Sequence, residues 1–375
     1  QPMQYLHYTI IFNGEIYNFR ELKKELQSKN YHFTTESDTE VIPAAYDCWG
    51  INFLHHFDGM FAFALYDASK KETLICRDRF GEKPLYFFTD GHSFSFSSFV
   101  FASEMKALWQ AGISRQRNDM MMLNYLAIGY VHNPMELSET FFKNISLLAQ
   151  GHYIIISNSS AYSIQQWYQP LVKRKKIADE AAEQQFLNLF TTSVEQRLLS
   201  DVSVGTSLSG GIDSSSVIAA INHALNKKGK TDAFTQWTSK AFTAIFPGFE
   251  KDESKPSKEV ADYFTLSQYT TAPTSADLYT TFEKLMYYQE EPLQSSSALV
   301  QYMVYQLARQ HGVTVMLDGQ GADEILGGYS KYPHWYLQQL LLKNYSLFKK
   351  EKSLLRQNEL LEKWGWRNYI AALVP

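Results

Sequence analysis

The stretch Thr206 to Val217, TSLSGGIDSSSV, constrains this chain more than any other. Small and apolar residues lead into Ser209-Gly210-Gly211, and Ile212-Asp213-Ser214-Ser215-Ser216 follows. Val217-Ile218-Ala219-Ala220-Ile221 then supplies an apolar helix face. The pattern reads as a buried strand, a glycine turn and the first turn of a helix. Two glycines permit positive φ and let backbone N–H groups approach a ligand. A helix N-terminus adds unpaired donors and a dipole that favours an anion. Ser209, Ser214 and Ser215 add hydroxyls. Asp213 is out of place in an anion site unless it holds a cation such as Mg2+ against phosphates. A Gly-Gly turn with Ser/Asp capping would account for the same residues without any ligand.

The Walker pattern GxxxxGK[ST] is absent. S-G-G-x-D-S-S instead resembles the pyrophosphate loop of enzymes that cleave ATP between the α- and β-phosphates. A chain of 375 residues has room for two to three domains. Its 45% hydrophobic and 20% charged content suits a globular protein with a substantial core. A net charge of −4 and dispersed aromatics give no footprint for a nucleic-acid backbone. No apolar run reaches the ~18 residues of a membrane span, and no signal-peptide pattern is present. Cys48 and Cys76 have no metal-ligand spacing and fit a reducing cytoplasm.

The first third reads as β-rich. A strand is expected over Tyr8 to Phe12, ending at Asn13-Gly14-Glu15-Ile16-Tyr17-Asn18, with a helix from Phe19 to Lys29. Ser37-Asp38-Thr39-Glu40 has the look of a helix cap before Val41 to Tyr46, with Pro43 in the first turn. Met60 to Asp67 and Thr73 to Cys76 read as paired buried strands, and a further pair is expected around Phe87 to Phe101. From residues alone, Asn13-Gly14 is a turn, Glu15 and Asp38 are solvated charges, and both cysteines are core or near-surface thiols.

NGEIYN, ESDTE, GMFAFALYD, RDRFGEKPLYF and FASEMKAL resemble the glutamine-hydrolysing half of asparagine synthetases. The resemblance implies an N-terminal-nucleophile fold, a four-layer αββα sandwich, over residues 1–172. In that family the first residue is a cysteine whose own α-amino group serves as base. Gln1 is no nucleophile, so upstream residues and loss of glutaminase activity in this chain are expected. Asn13 and Gly14 match the family's catalytic oxyanion-hole pair, and with Glu15 and Asp38 they bind glutamine, the two acids gripping its α-ammonium group.

Lys173-Arg174-Lys175-Lys176 reads as a solvated linker between domains. Beyond it, helix and strand alternate, which predicts a doubly wound parallel sheet over residues 173–375. Helices are expected at Asp179 to Leu199, Ser257 to Phe264, Leu278 to Tyr288 and Ala298 to Gln310. The second strand falls at Phe234 to Trp237 or Phe242 to Phe246, and another at Val313 to Leu317. Asp318 to Tyr329, DGQGADEILGGY, follows that last strand and is the second anchor. Similar segments in asparagine synthetases close over the ATP phosphates. By this resemblance Asp323 helps Asp213 hold Mg2+, while Ser207, Leu208, Ala244, Asp318 and Gly319 bind ATP with Ser209 to Ser215. Gln320 stands where some relatives carry a glutamate that deprotonates ammonia, a role an amide cannot fill. Substrate contacts are expected near Glu290-Glu291-Pro292 and Ser295-Ser296-Ser297.

The resemblance implies conversion of aspartate, glutamine and ATP to asparagine, glutamate, AMP and pyrophosphate, and it admits a homodimer. Amidation of another carboxylate, such as a sugar acid of a surface polysaccharide, is the alternative within this chemistry. A non-catalytic nucleotide-binding module is the alternative outside it. The chain is also expected to lack the C-terminal part of the synthetase domain.

Overall fold

The computed structural model describes all residues except 92, 94, 159–160, 174–176, 229–235, 251, 359, 362 and 374–375. Its first half runs β1 (Met3–Tyr5), β2 (Tyr8–Ile16), α1 (Phe19–Ser28), α2 (Val41–Trp49), β3 (Gly59–Asp67), β4 (Glu72–Arg77), β5 (Tyr86–Thr89) and β6 (Phe99–Ala102). It continues with α3 (Met105–Gln110), α4 (Asp119–Ile128), β7 (Ser146–Leu147), β8 (His152–Ile156) and β9 (Tyr162–Gln166). A six-stranded antiparallel sheet has the order β1-β2-β3-β4-β8-β9, and a smaller one the order β6-β5-β7. Strand β3 shows why these sheets stack. Its odd residues Phe61, Phe63 and Leu65 pack with Leu22 and Leu26 of α1 and Val41 and Ile42 of α2. Its even residues Ala62 and Ala64 face Leu85 and Phe87 of the smaller sheet's side. Side chains of a strand alternate between faces, so one strand is buried on both. Met105 and Leu108 of α3 pack with Tyr86, Val100 and Ala102 on the smaller sheet's other face. The layers are helix, sheet, sheet, helix.

The second half holds α5 (Asp179–Arg197), β10 (Val204–Ser207), α6 (Ile212–Lys228), β11 (Trp237–Ala244), α7 (Ser254–Tyr263) and β12 (Ser267–Thr271). Then come α8 (Ser275–Gln289), α9 (Ser297–Gln310), β13 (Val315–Met316) and α10 (Ala322–Leu326). The sheet order is β12-β11-β10-β13 and every pairing is parallel. Helices cover both faces: Ala241 packs with Ile218 of α6 and Ala261 of α7, while Phe242 packs with Val304 and Ala308 of α9. Three further helices, α11 (Lys331–Lys343), α12 (Tyr345–Gln357) and α13 (Trp366–Leu373), follow, and Leu337, Phe348, Leu361 and Trp364 form a separate apolar cluster there. Among the described residues no helix is long and apolar enough to cross a membrane.

Several boundaries differ from expectation. Strand β2 does not end at Phe12: Asn13, Gly14 and Glu15 continue it, opposite Ala62, Phe61 and Met60. A Cβ on Gly14 would lie 2.1 Å from the Met60 carbonyl oxygen, so the glycine serves close strand approach and not a turn. The cap expected at Ser37 to Glu40 is replaced by other bonds. Glu40, at the N-cap of α2, makes no side-chain cap. Its carboxylate is buried and accepts from the backbone and hydroxyls of Thr34 and Thr35, which hold it below the usual carboxylate range despite burial. The second strand of the parallel sheet is the single run Trp237–Ala244, spanning the gap between the two expected segments, and Phe234 lies outside the described residues. Helix α7 starts earlier, at Ser254, because Pro256 is tolerated in a first turn. Residues 174–176 of the expected linker also lie outside the described residues.

Candidate functional site

Strand β10 lies between β11, which follows it in sequence, and β13, which arrives last. The chain therefore reverses direction of growth at β10, and a crevice opens there at the carboxyl ends of β10 and β13, where open α/β sheets take their ligands. Two segments meet in it. The first is Leu208 to Gly211 entering α6. The second is Asp318 to Gly321 entering α10.

The first segment is held by its own polar groups. The Ser209 and Ser214 hydroxyls lie 3.0 Å apart, Gly211 N donates to Ser209 Oγ at 3.1 Å, and Ser209 N donates to Ser214 Oγ at 3.3 Å. Gly210 has φ +81°, and a Cβ there would meet the Pro256 carbonyl carbon and Ser257 N at 2.4 Å. Only glycine fits this turn, pressed against the start of α7. The Ser215 Oγ is buried without a hydrogen-bond partner in the first turn of α6. An orphaned donor beside a helix N-terminus suits a phosphate oxygen.

The second segment is locked to the first. Ser207 N donates to Asp318 Oδ1 at 3.0 Å, and the Gly319 backbone lies against Asp213 and Ser214. Asp213 stands in the first turn of α6 and Asp323 in the first turn of α10. Carboxylate oxygens are the donors a hard cation such as Mg2+ takes, and the Asp323 carboxylate lies against the Gly328 backbone. Among the described residues no group of three or more His, Cys, Asp or Glu side chains gathers for a metal. Ala244 ends β11 beside this crevice, paired with Thr271 of β12.

Tyr305 of α9 was invisible from sequence. Its hydroxyl donates to Asp318 Oδ2 at 3.0 Å, and burial together with the Asp318 charge pushes its pKa up to about 12. No local pattern marks a tyrosine 13 residues ahead of its partner. The contact of Pro256 with Gly210 is likewise tertiary and leaves no local pattern.

In the first half, Asn13 Nδ2 donates to Ser103 Oγ at 3.1 Å. Glu15 follows on the same strand, and Asp38 Oδ2 accepts from Ile16 N at 2.9 Å, which brings the two acids together. Burial raises the pKa of both, and the Asp38 charge raises Glu15 further. Half-buried carboxylates that repel one another favour a cation between them. Cys76 is fully buried in β4 and burial pushes its thiol up, so it is a core residue as expected.

Glu290 and Glu291, expected near the substrate, turn their carboxylates toward the first half. Their carboxylates accept backbone N–H groups of the first half, Glu290 from Met105 and Lys106 and Glu291 from Phe141. Both are consumed in the contact between the two halves. Ser295 and Ser297 pair with each other at an exposed turn.

Residues 1–168 match the glutamine amidotransferase domain family, and residues 185–374 match the asparagine synthase family. The chain is 32% identical over 343 residues to a provisionally named glutamine-hydrolyzing asparagine synthetase 2 of Methanocaldococcus jannaschii, covering 89% of this chain and 61% of that protein. It is 30% identical over 334 residues to glutamine-hydrolyzing asparagine synthetase 1 of Bacillus subtilis, covering 88% and 50%. It is 27% identical over 337 residues to amidase chry2 of Gibberella zeae, covering 86% and 47%. The chain thus spans about half the length of the curated relatives it matches.

Proposed function

The chain belongs to the asparagine synthase family, and from that premise we propose that it carries the glutamine and ATP sites of a glutamine-hydrolysing amidotransferase. Residues 1–172 form the glutaminase domain, an N-terminal-nucleophile sandwich, and residues 173–375 the ATP pyrophosphatase domain. The reaction is the transfer of glutamine's amide nitrogen to aspartate with cleavage of ATP to AMP and pyrophosphate.

One observation carries this reading: the Ser209 to Ser215 loop and the Asp318 to Asp323 segment meet at the point where the parallel sheet changes its direction of growth. Ser215 and the N–H groups at the start of α6 bind phosphate oxygens. Ser207, Leu208, Ala244, Asp318 and Gly319 line the adenosine. Asp213 and Asp323 would hold Mg2+, which neutralises charge on the departing pyrophosphate. In the first half, Asn13 Nδ2 and the Gly14 N–H stabilise the oxyanion formed at the glutamine amide, a role worth about 3 kcal/mol of barrier per donor. Glu15 and Asp38 receive the α-ammonium group of glutamine.

A second reading of the acceptor is a carboxylate other than aspartate; Gln320, between Gly319 and Gly321, bears on the ammonia step and is common to both readings. Isotope exchange between pyrophosphate and ATP tests both. Exchange that requires aspartate supports the first reading, and exchange with other carboxylates only supports the second. Absence of exchange together with absence of Mg-ATP binding overturns the assignment.

A further inference from the structure

The contact between the halves is built on the end of α8. Glu290 caps that helix in the left-handed region, at φ 63°, an uncommon conformation for a residue with a side chain. The turn sends its carboxylate into the first half. Oε2 accepts from Met105 N at 2.7 Å and Oε1 from Lys106 N at 2.8 Å, the first two residues of α3. Lys106 Nζ forms ion pairs with Glu290 at 3.1 Å and with Glu104 at 3.0 Å, over the rings of Tyr287 and Tyr288. Glu291 accepts from Phe141 N at 3.0 Å, and the Tyr125 hydroxyl donates to the Leu293 carbonyl at 2.8 Å.

What stands at either end of this clasp gives it meaning. On the first-half side, α3 begins two residues after Ser103, the partner of Asn13. On the other side, the chain from Glu290 runs into α9, whose Tyr305 holds Asp318, and Asp318 holds Ser207 N at the ATP loop. Hydrogen bonds, the six-residue loop 291–296 and helix α9 therefore join Asn13 to the nucleotide crevice.

We propose that Glu290 is a positioning residue that ties the Asn13–Ser103 pair to the α9–Asp318 side of the nucleotide crevice, so that occupancy of one site is felt at the other. The proposal rests on the assignment of these two sites above. Removing half of a buried charged contact frees donors that have no other partner. Coupling between sites is a free energy, and it is measured by whether one ligand changes the other site.

The test uses the whole chain and backbone hydrogen exchange at residues 103–106, with calorimetry of Mg-ATP alongside. Without nucleotide, Glu290→Gln exchanges at 105–106 about tenfold faster than wild type. In wild type, saturating Mg-ATP slows exchange at 103–106 at least about threefold. In Glu290→Gln that response is lost while the Kd for Mg-ATP stays within about twofold, a split that a merely structural residue would not produce. If Glu290→Gln does not fold, Lys106→Met keeps both backbone bonds to Glu290, and its response to Mg-ATP must shrink at least about twofold. The inference is overturned by a wild-type protein whose 103–106 segment ignores saturating Mg-ATP, or by a variant that keeps the response. A wild-type chain that binds no Mg-ATP overturns the functional assignment and the coupling together, and calorimetry shows that before any exchange is read.

Discussion

Asp78 and Asp213 each stand in a short glycine-bearing segment after a strand, and each segment carries an equally specific sequence signature. Their surroundings are opposite. Asp78 is buried, and its carboxylate accepts five backbone N–H groups, from Phe61, Phe80, Gly81, Glu82 and Lys83. Its neighbour Arg77 spends its guanidinium on the carbonyls of Gly81, Lys83 and Leu148. Both side chains are spent on the protein's own backbone. Around Asp213 the hydroxyls of Ser209 and Ser214 only close the loop, and the buried Ser215 Oγ has no partner. Saturated polar groups mark a scaffold, and an unpaired hydroxyl at a helix N-terminus is open to a ligand. A signature in the sequence does not distinguish the two; the hydrogen-bond account does.

The largest effect should come from breaking the scaffold. Asp78→Ala strands five backbone donors, and at about 1–3 kcal/mol for each one left buried and unpaired the loss is expected to exceed about 4 kcal/mol. Thermal melting should fall steeply or the protein should fail to accumulate. An unchanged melting curve would put Asp78 outside the scaffold.

Asp213→Asn should do the reverse. Removing charge without changing the shape of this half-buried side chain leaves melting within about 1 kcal/mol of wild type. Affinity for ATP in the presence of Mg2+ should drop at least about tenfold. Equal ATP titrations of the two proteins would refute the loop assignment.

Which parts of this contrast the sequence discloses follows from the range of the forces involved. The strand, loop and helix at Val204 to Lys228 are legible because apolar run, glycine pair and helix face are contiguous. The four-layer order was available only through the family resemblance, since Phe61 and Ala62 do not announce which neighbours they face. Asn13-Gly14 reads as a turn by local preference, and only the Met60 carbonyl across the sheet explains the glycine. Glu290 and Tyr305 act on partners brought close by tertiary packing, so no spacing rule finds them.

A smaller effect sharpens the status of Glu15. Burial and Asp38 raise its folded-state pKa above the unfolded value. A raised pKa stabilises the fold fully below the unfolded value, near pH 4, and that contribution is lost as pH rises through the folded value. Glu15→Gln should therefore gain stability at pH 7, by less than about 1 kcal/mol given its partial exposure, and show no gain below about pH 4. Glutamine binding should weaken in the same variant, as measured by calorimetry. A Glu15→Gln protein destabilised at pH 7 would make this acid part of the scaffold.

The smallest change is expected from Gln320→Glu. Activation of the carboxylate needs no base for ammonia, so exchange of pyrophosphate with ATP should stay within about twofold. Amide formation from added ammonia should hold level or rise. Collapse of exchange would mean that Gln320 donates to a phosphate, which a carboxylate repels.

The seating of β13 beside β10 also bears on how the molecule is made. The bond from Ser207 to Asp318 spans 111 residues of chain. Closing so long a segment costs about 4 kcal/mol in chain entropy before a constant term, and no contact of the crevice is gained until it closes. During synthesis the Ser209 to Ser215 segment emerges complete while the opposite wall of its crevice does not yet exist. The crevice proposed for the nucleotide is therefore a late feature of this fold, completed when the last parallel strand docks, and the appearance of Mg-ATP binding during refolding would time that event.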